Sequence, residues 1–218
     1  MLGWKVKLLG LDEVQELPSN HFLRLLKKVW DTYDVRLVLT GSMMGVIRRL
    51  LKPKVGSPMY GRQPAVLRLY PFSRERSREF LIRGFKEYRV VVSEEELDEV
   101  VETLNGYVGW LTYYGNYRCV RRLDHRMALE KVYDEGKLIM LEELKRFLKN
   151  RRNQGRYVEL LRSLPARWSE LERKLRVNRK VLRDMLRSLE DAMIVEKKGL
   201  TYTIPDPILR RLVLELRV

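Results

Sequence analysis

The sequence predicts an α/β segment with parallel strands, followed by an all-α region and a C-terminal winged helix-turn-helix. Three observations carry this. Two apolar runs, residues 8–11 and 35–39, flank a stretch of helical period and so read as strand, helix, strand. From about residue 73 to 150, apolar residues recur at helical spacing alone. From residue 151 onward, three short helices lead into an alternating stretch, 194–204, built around a Lys-Gly turn as a β-hairpin is.

In the first part, to about residue 72, the run 8–11 is nearly continuously apolar, the pattern of a strand buried on both faces. Pro18-Ser19-Asn20 supplies a turn and helix caps. Phe22, Leu25, Leu26, Val29 and Trp30 then repeat at helical spacing to about Tyr33, and Asp34 ends the helix. Residues 35–39 form a second buried strand, ending in Thr40-Gly41-Ser42. Links this short between strand, helix and strand require parallel strands joined by a right-handed crossover. A third short strand is expected over 65–70, after the loop 56–62. Asp12-Glu13 and Ser42 both fall at carboxyl ends of strands, where open α/β sheets bind ligands.

In the second part, 73–150, Ser93-Glu94-Glu95-Glu96 is a capping box with acids in the first turn. The helix it opens runs to Leu104 and is ended by Asn105-Gly106. Helices over 110–120 and 126–147 follow, with Gly136 an interior weak point in the second. The third part, 151–218, reads as helices over 156–164 and 168–175, a third capped by Asn178, the hairpin, and a closing helix from Pro207. On the third helix Val181, Leu182, Met185, Leu186 and Leu189 occupy the buried face. Arg179, Arg183 and Arg187 repeat every four residues on the other, with Lys180 beside them. A basic outer face on the second helix of a helix-turn-helix is what enters the major groove of DNA, and Lys197 and Lys198 near the hairpin tip would reach phosphates. The competing reading is a winged helix that docks onto protein.

The net charge of +15, from 44 Lys+Arg against 29 Asp+Glu, points to a polyanion or an acidic partner surface. A thermophile's charged surface, with few Cys, Asn and Gln, explains the same balance. The charge is denser at the C-terminal end: +8 in residues 151–218 and +7 in the 150 before them. One cysteine, Cys119, excludes a disulfide framework and a thiolate metal cluster, and His21 and His125 lack ligand-spaced neighbours. No apolar run reaches the roughly 18–20 residues of a membrane span, and Met1 leads into a strand rather than a signal peptide. The chain reads as cytoplasmic.

Several stretches are similar to the archaeal AAA+/STAND-type ATPases, which join a P-loop core to a helical lid and a winged helix. They are residues 8–15, 37–51 (LVLTGSMMGVIRRLL), 58–72 (PMYGRQPAVLRLYPF), 80–87 (FLIRGFKE), 106–115 (GYVGWLTYYG) and 205–210 (PDPILR), spanning nearly the whole chain in the family's order. The resemblance implies a partial core over 1–72 with a Walker B motif and a sensor, a lid over 73–150 and a winged helix over 151–218. It also implies roles. Asp12 would hold Mg²⁺ through water, Glu13 would orient and deprotonate the attacking water, and Ser42 would read the γ-phosphate. Arg62 matches the position of an arginine meeting the terminal phosphate. The bland alternatives are a polar strand-to-loop transition, a turn residue and a structural ion pair.

Two departures accompany the resemblance. The phosphate-cradling G-x-x-x-x-G-K-[ST] occurs nowhere, and the lone Gly-Lys pair, Gly136-Lys137, precedes Leu138. The lid's Gly-x-Pro, which packs near the nucleotide base, is Gly106-Tyr107-Val108 here. The chain is therefore expected to be the C-terminal portion of a longer ATPase, using ATP and Mg²⁺ only when an upstream P-loop polypeptide supplies the cradle. In the family's sheet the P-loop strand lies between the strand ending at Gly41 and the one starting near Ala65. Its absence leaves open edges that another polypeptide must fill or that must close on each other. The rival functions are a nucleotide-independent DNA-binding regulator and a protein-docking module.

Overall fold

The computed structural model describes residues 8–14, 20–41, 55–61, 64–149 and 151–216. The chain divides into two compact units, Met1–Leu67 with Arg183–Met193, and Arg68–Leu182 with Ile194–Val218.

In the first unit, β1 (Leu8–Leu11) and β2 (Arg36–Leu39) flank α1 (Asn20–Thr32). The strands pair in parallel, Leu8 opposite Arg36 through Leu11 opposite Leu39, as the short links require. The expected burial on both faces is not found. Along both strands exposed and half-buried residues alternate, with Leu8 60% and Val38 49% exposed. The reason is that one face alone is covered. Val14, Leu26 and Met59 form a small core against which Leu11, Phe22, Leu23, Leu37 and Leu39 pack. Leu25 and Trp30 lie outside it and are exposed.

The strand expected over 65–70 does not form. Residues 64–73 are irregular, and Val66, Leu67, Leu69 and Tyr70 are exposed. Among the described residues β2 pairs with β1 alone, so this apolar run has no strand beside it to complete a ladder.

In the second unit, α2 (Arg74–Glu87), α3 (Glu94–Leu104), α4 (Val108–Cys119) and α5 (His125–Leu148) follow one another. Three of these four starts have a local side-chain cap. The hydroxyl of Ser73 accepts from the Arg76 amide, that of Ser93 from Glu96, and the Asp124 carboxylate from Met127. At its other end α3 stops on Asn105 (φ 49°) and Gly106 (φ 76°), both left-handed. Arg78 ties α2 to α3 by bonding both Glu94 and Asp98, and Arg74 reaches Glu102 at 2.6 Å. Leu81, Phe85, Val100, Leu104, Leu111 and Tyr114 are buried at helical spacing.

The chain continues through α6 (Gln154–Arg162), β3 (Ala166–Arg167), α7 (Trp168–Leu175) and α8 (Arg179–Asp191). Then come β4 (Glu196–Lys198), β5 (Thr201–Thr203) and α9 (Pro207–Glu215). The three strands form an antiparallel sheet in the order β3-β5-β4, with Tyr202 opposite both Ala166 and Lys197. Gly199 takes the left-handed turn (φ 61°) that the Lys-Gly pair predicts. On α8, Leu182, Met185, Leu186 and Leu189 are buried as their spacing predicts, but Val181 is 38% exposed.

Helix α9 docks against α5. Gly136 is no weak point in α5, which runs unbroken through it. A Cβ there would come 2.5 Å from Ile208 Cδ1, so the glycine permits the close approach of α9. Polar clasps frame this contact. Tyr133 and Lys137 of α5 both donate to Glu215, and the Arg211 guanidinium lies 3.6 Å over the Tyr133 ring. At the start of α9, Asp206 is buried, accepting from Trp110 Nε1 and from the Leu209 amide, each at 2.8 Å.

Burial raises the Asp206 carboxyl above its ordinary 3.8, against the opposing pull of its hydrogen bonds. A raised acid binds its proton more tightly in the folded state, so stability falls as pH climbs from about 3.8 through the higher folded value. Asp206→Asn, which keeps an acceptor and loses the charge, should remove this slope in chemical denaturation measured across pH. Asp206→Ala strands the indole and amide donors and should cost about 1–3 kcal/mol.

Candidate functional site

The candidate nucleotide-facing residues are assembled by strand register. Leu11 lies opposite Leu39 in the parallel pair, so Asp12 and Thr40 leave adjacent strand ends side by side. The Thr40 amide donates to Leu11 O at 2.9 Å, and the Val14 amide to Thr40 O at 3.1 Å, holding the two ends together. The Thr40 hydroxyl donates to Asp12 Oδ1, which also accepts from the Glu13 amide at 3.0 Å. Glu13 itself sits in the left-handed region (φ 51°), turning the chain sharply as it leaves the strand. Both carboxylates are exposed.

Ser42 and Arg62, the expected sensor and phosphate-binding arginine, lie outside the described residues. The residue brought against Asp12 is Thr40, which sequence reasoning passed over. Its signal was present, since Thr40 stands directly at the strand end, but strand register alone brings it to the acid.

Asp12 and Glu13 offer hard oxygen donors of the kind Mg²⁺ takes, usually one or two carboxylates completed by water and phosphate oxygens. Among the described residues no group of three His, Cys, Asp or Glu gathers into a metal site of its own. These residues thus fit a magnesium ion that relies on a bound phosphate for the rest of its shell.

Gly106 is buried and tightly placed. Its carbonyl accepts from the Phe72 amide at 2.8 Å, and a Cβ would fall 2.1 Å from Phe72 O. The next residue, Tyr107, has its phenol pushed up by burial and by the Asp206 and Glu196 carboxylates.

The basic residues fall into two kinds. Arg179 Nε donates to Glu172 Oε1 at 2.5 Å, a bond that holds the Glu172 carboxyl below its ordinary range. Lys198 Nζ lies 2.7 Å from Glu196 Oε1, and Lys197 Nζ lies 5.4 Å from the Tyr202 ring centre. By contrast Lys180, Arg183 and Arg187 are exposed on α8, with the Lys180 amide capped by Asn178 Oδ1 at 2.8 Å. Exposed ion pairs of this kind hold their partners weakly.

No model of a known protein family matches the chain, and no curated protein matches it. Among solved structures it is similar to a Walker-type ATPase of Pyrococcus abyssi, at 30% sequence identity and a TM-score of 0.84, over 96% of this chain. The chain spans 63% of the length of that ATPase. The mostly helical architecture with a small parallel sheet matches an ATPase-like fold, and the likeness supports a relationship to the archaeal P-loop ATPases. No described helix is long and apolar enough to cross a membrane.

Gly106→Ala combines a disfavoured φ with a backbone clash. It should lower the thermal unfolding midpoint by several degrees, corresponding to about 1–3 kcal/mol. Circular dichroism melting measures this directly.

Proposed function

We propose that the chain is the water-activating half of a P-loop ATPase, inactive alone and active when a phosphate-binding segment joins it. The observation that carries this is the Asp12–Thr40 contact at the carboxyl ends of two parallel strands, in a chain similar to a Walker-type ATPase. Asp12 would hold Mg²⁺ through water, oriented by the Thr40 hydroxyl. Glu13 would accept a proton from the attacking water, with Ser42 and Arg62 reading the phosphate. A bound magnesium–nucleotide would supply the electrophile and neutralise its charge. Without the P-loop lysine and its amide cradle, β- and γ-phosphates have nothing to hold them. Gly106-Tyr107-Val108 would lie in the lid, where the proline expected beside the base is absent.

The purified chain should neither retain nor hydrolyse ATP. Adding a polypeptide that carries G-x-x-x-x-G-K-[ST] should restore turnover, and Glu13→Gln should reduce the restored rate about 10²–10⁴-fold. Hydrolysis by the chain alone, lost in Glu13→Gln, would refute the inactive reading.

A second activity is favoured by one observation at the C-terminal end. Helix, strand, helix, helix and hairpin follow in order, the strands of the hairpin extended by β3. This order supports a winged helix-turn-helix, with Arg179, Lys180, Arg183 and Arg187 on the recognition helix and Lys197 and Lys198 on the wing. Duplex DNA is the partner this reading assigns. Each of Arg183→Glu and Arg187→Glu should weaken binding while leaving circular dichroism unchanged. Each should also flatten the plot of log K against log salt by about 0.9, the value for one phosphate. Salt-insensitive or absent binding would favour protein docking instead.

A further inference from the structure

Resting on the DNA reading, we infer that Glu172 positions Arg179 to read a guanine, so that this pair gives the protein a base preference. The observation is the way the two side chains are joined. Glu172 Oε1 accepts from Arg179 Nε at 2.5 Å, and among the described residues no acceptor meets Arg179 Nη1 or Nη2. A guanidinium offers a fork of donors, and the strongest ion pairs take two of them side by side. Here the carboxylate holds the stem side of the fork and leaves its outer end free for a second, bidentate partner.

The two partners are placed differently. Glu172 lies on α7 with its side chain 29% exposed, whereas the side chain of Arg179 is 77% exposed. The Glu172 carboxyl is held below its ordinary range by the hydrogen bond from Arg179 and, to a lesser degree, by one from Trp168. Arg179 is the first residue of α8, directly after Asn178, whose Oδ1 accepts from the Lys180 amide. In a helix-turn-helix, the N-terminal residues of the second helix reach base edges while the first helix crosses the backbone. The terminal nitrogens of an arginine match guanine O6 and N7, and guanine alone presents two acceptors in the major groove. Lys180, Arg183 and Arg187 have no side-chain partner among the described residues. Cations left free in this way suit phosphates, which position the protein without carrying sequence information. Tethering Arg179 before DNA arrives removes part of the cost of ordering a long side chain.

Selection from randomised duplexes with the full chain should enrich a site containing a guanine that Arg179→Ala no longer distinguishes. On that site, exchanging the guanine–cytosine pair for adenine–thymine should weaken wild-type binding about 5–150-fold, the worth of one bidentate contact. Arg179→Ala and Glu172→Ala should each bring this ratio towards one, and the double variant should do no more than Arg179→Ala. Comparing two duplexes cancels the general gain in affinity that deleting an acid brings. Circular dichroism should be unchanged in all three variants, because an exposed pair adds little to stability. If Glu172→Ala tightens both complexes and keeps the ratio, Glu172 acts as a brake on Arg179 and the inference fails. It fails equally if Arg179→Ala retains the whole preference, or if the wild-type chain binds all duplexes alike. In each of these cases, salt-sensitive binding weakened by Arg183→Glu leaves the DNA reading standing. Absence of any duplex binding by the wild-type chain would overturn both.

Discussion

The second unit is organised around a buried carboxylate. Asp206 caps α9 with one oxygen and accepts the Trp110 indole with the other, so a single buried group fixes where α9 begins and where α4 meets it. Removing a charge from water is costly, and the cost is tolerable because both oxygens keep donors. Around that point the geometry is narrow. Gly136 admits the Ile208 side chain, Asn105 Nδ2 bonds Pro205 O at 3.1 Å, and Glu215 is gripped at the far end of α9. The helices α2 to α5 and the C-terminal helix α9 are therefore packed as one body.

A helical region sharing a buried hydrogen bond and a glycine-sized contact with the last helix cannot rotate without disturbing α9. Any movement of α4 would be carried to α9 through rigid packing rather than along a flexible tether. The first unit is built on a different scale. Among the described residues its sheet has two strands with one covered face, where Val14, Leu26 and Met59 are buried within a rim of partly buried side chains.

Much of this was legible beforehand. A helix start was readable at Ser93 because a cap is a local contract between a side chain and an amide three residues on. Parallel pairing followed from the short links around α1. The readings that failed were those about surroundings. Val181 obeys the helical period yet is exposed, and Leu8 belongs to an apolar run yet faces solvent. Residues 65–70 have strand-like composition, and among the described residues no strand pairs with them. Apolarity predicts what a residue would gain from burial, not whether a neighbour exists to bury it.

The sequence by itself determined the periods, the caps, the turn glycines, the excess of positive charge and the lack of a phosphate-cradling motif. Each depends on residues close together in the chain. The tertiary structure alone decided that Thr40 is the hydroxyl on Asp12, that Gly136 serves α9, and that Trp110 meets Asp206 across 96 positions. Such contacts depend on strand register and on the angle at which helices cross. These are set by the whole packed arrangement rather than by any local run of residues.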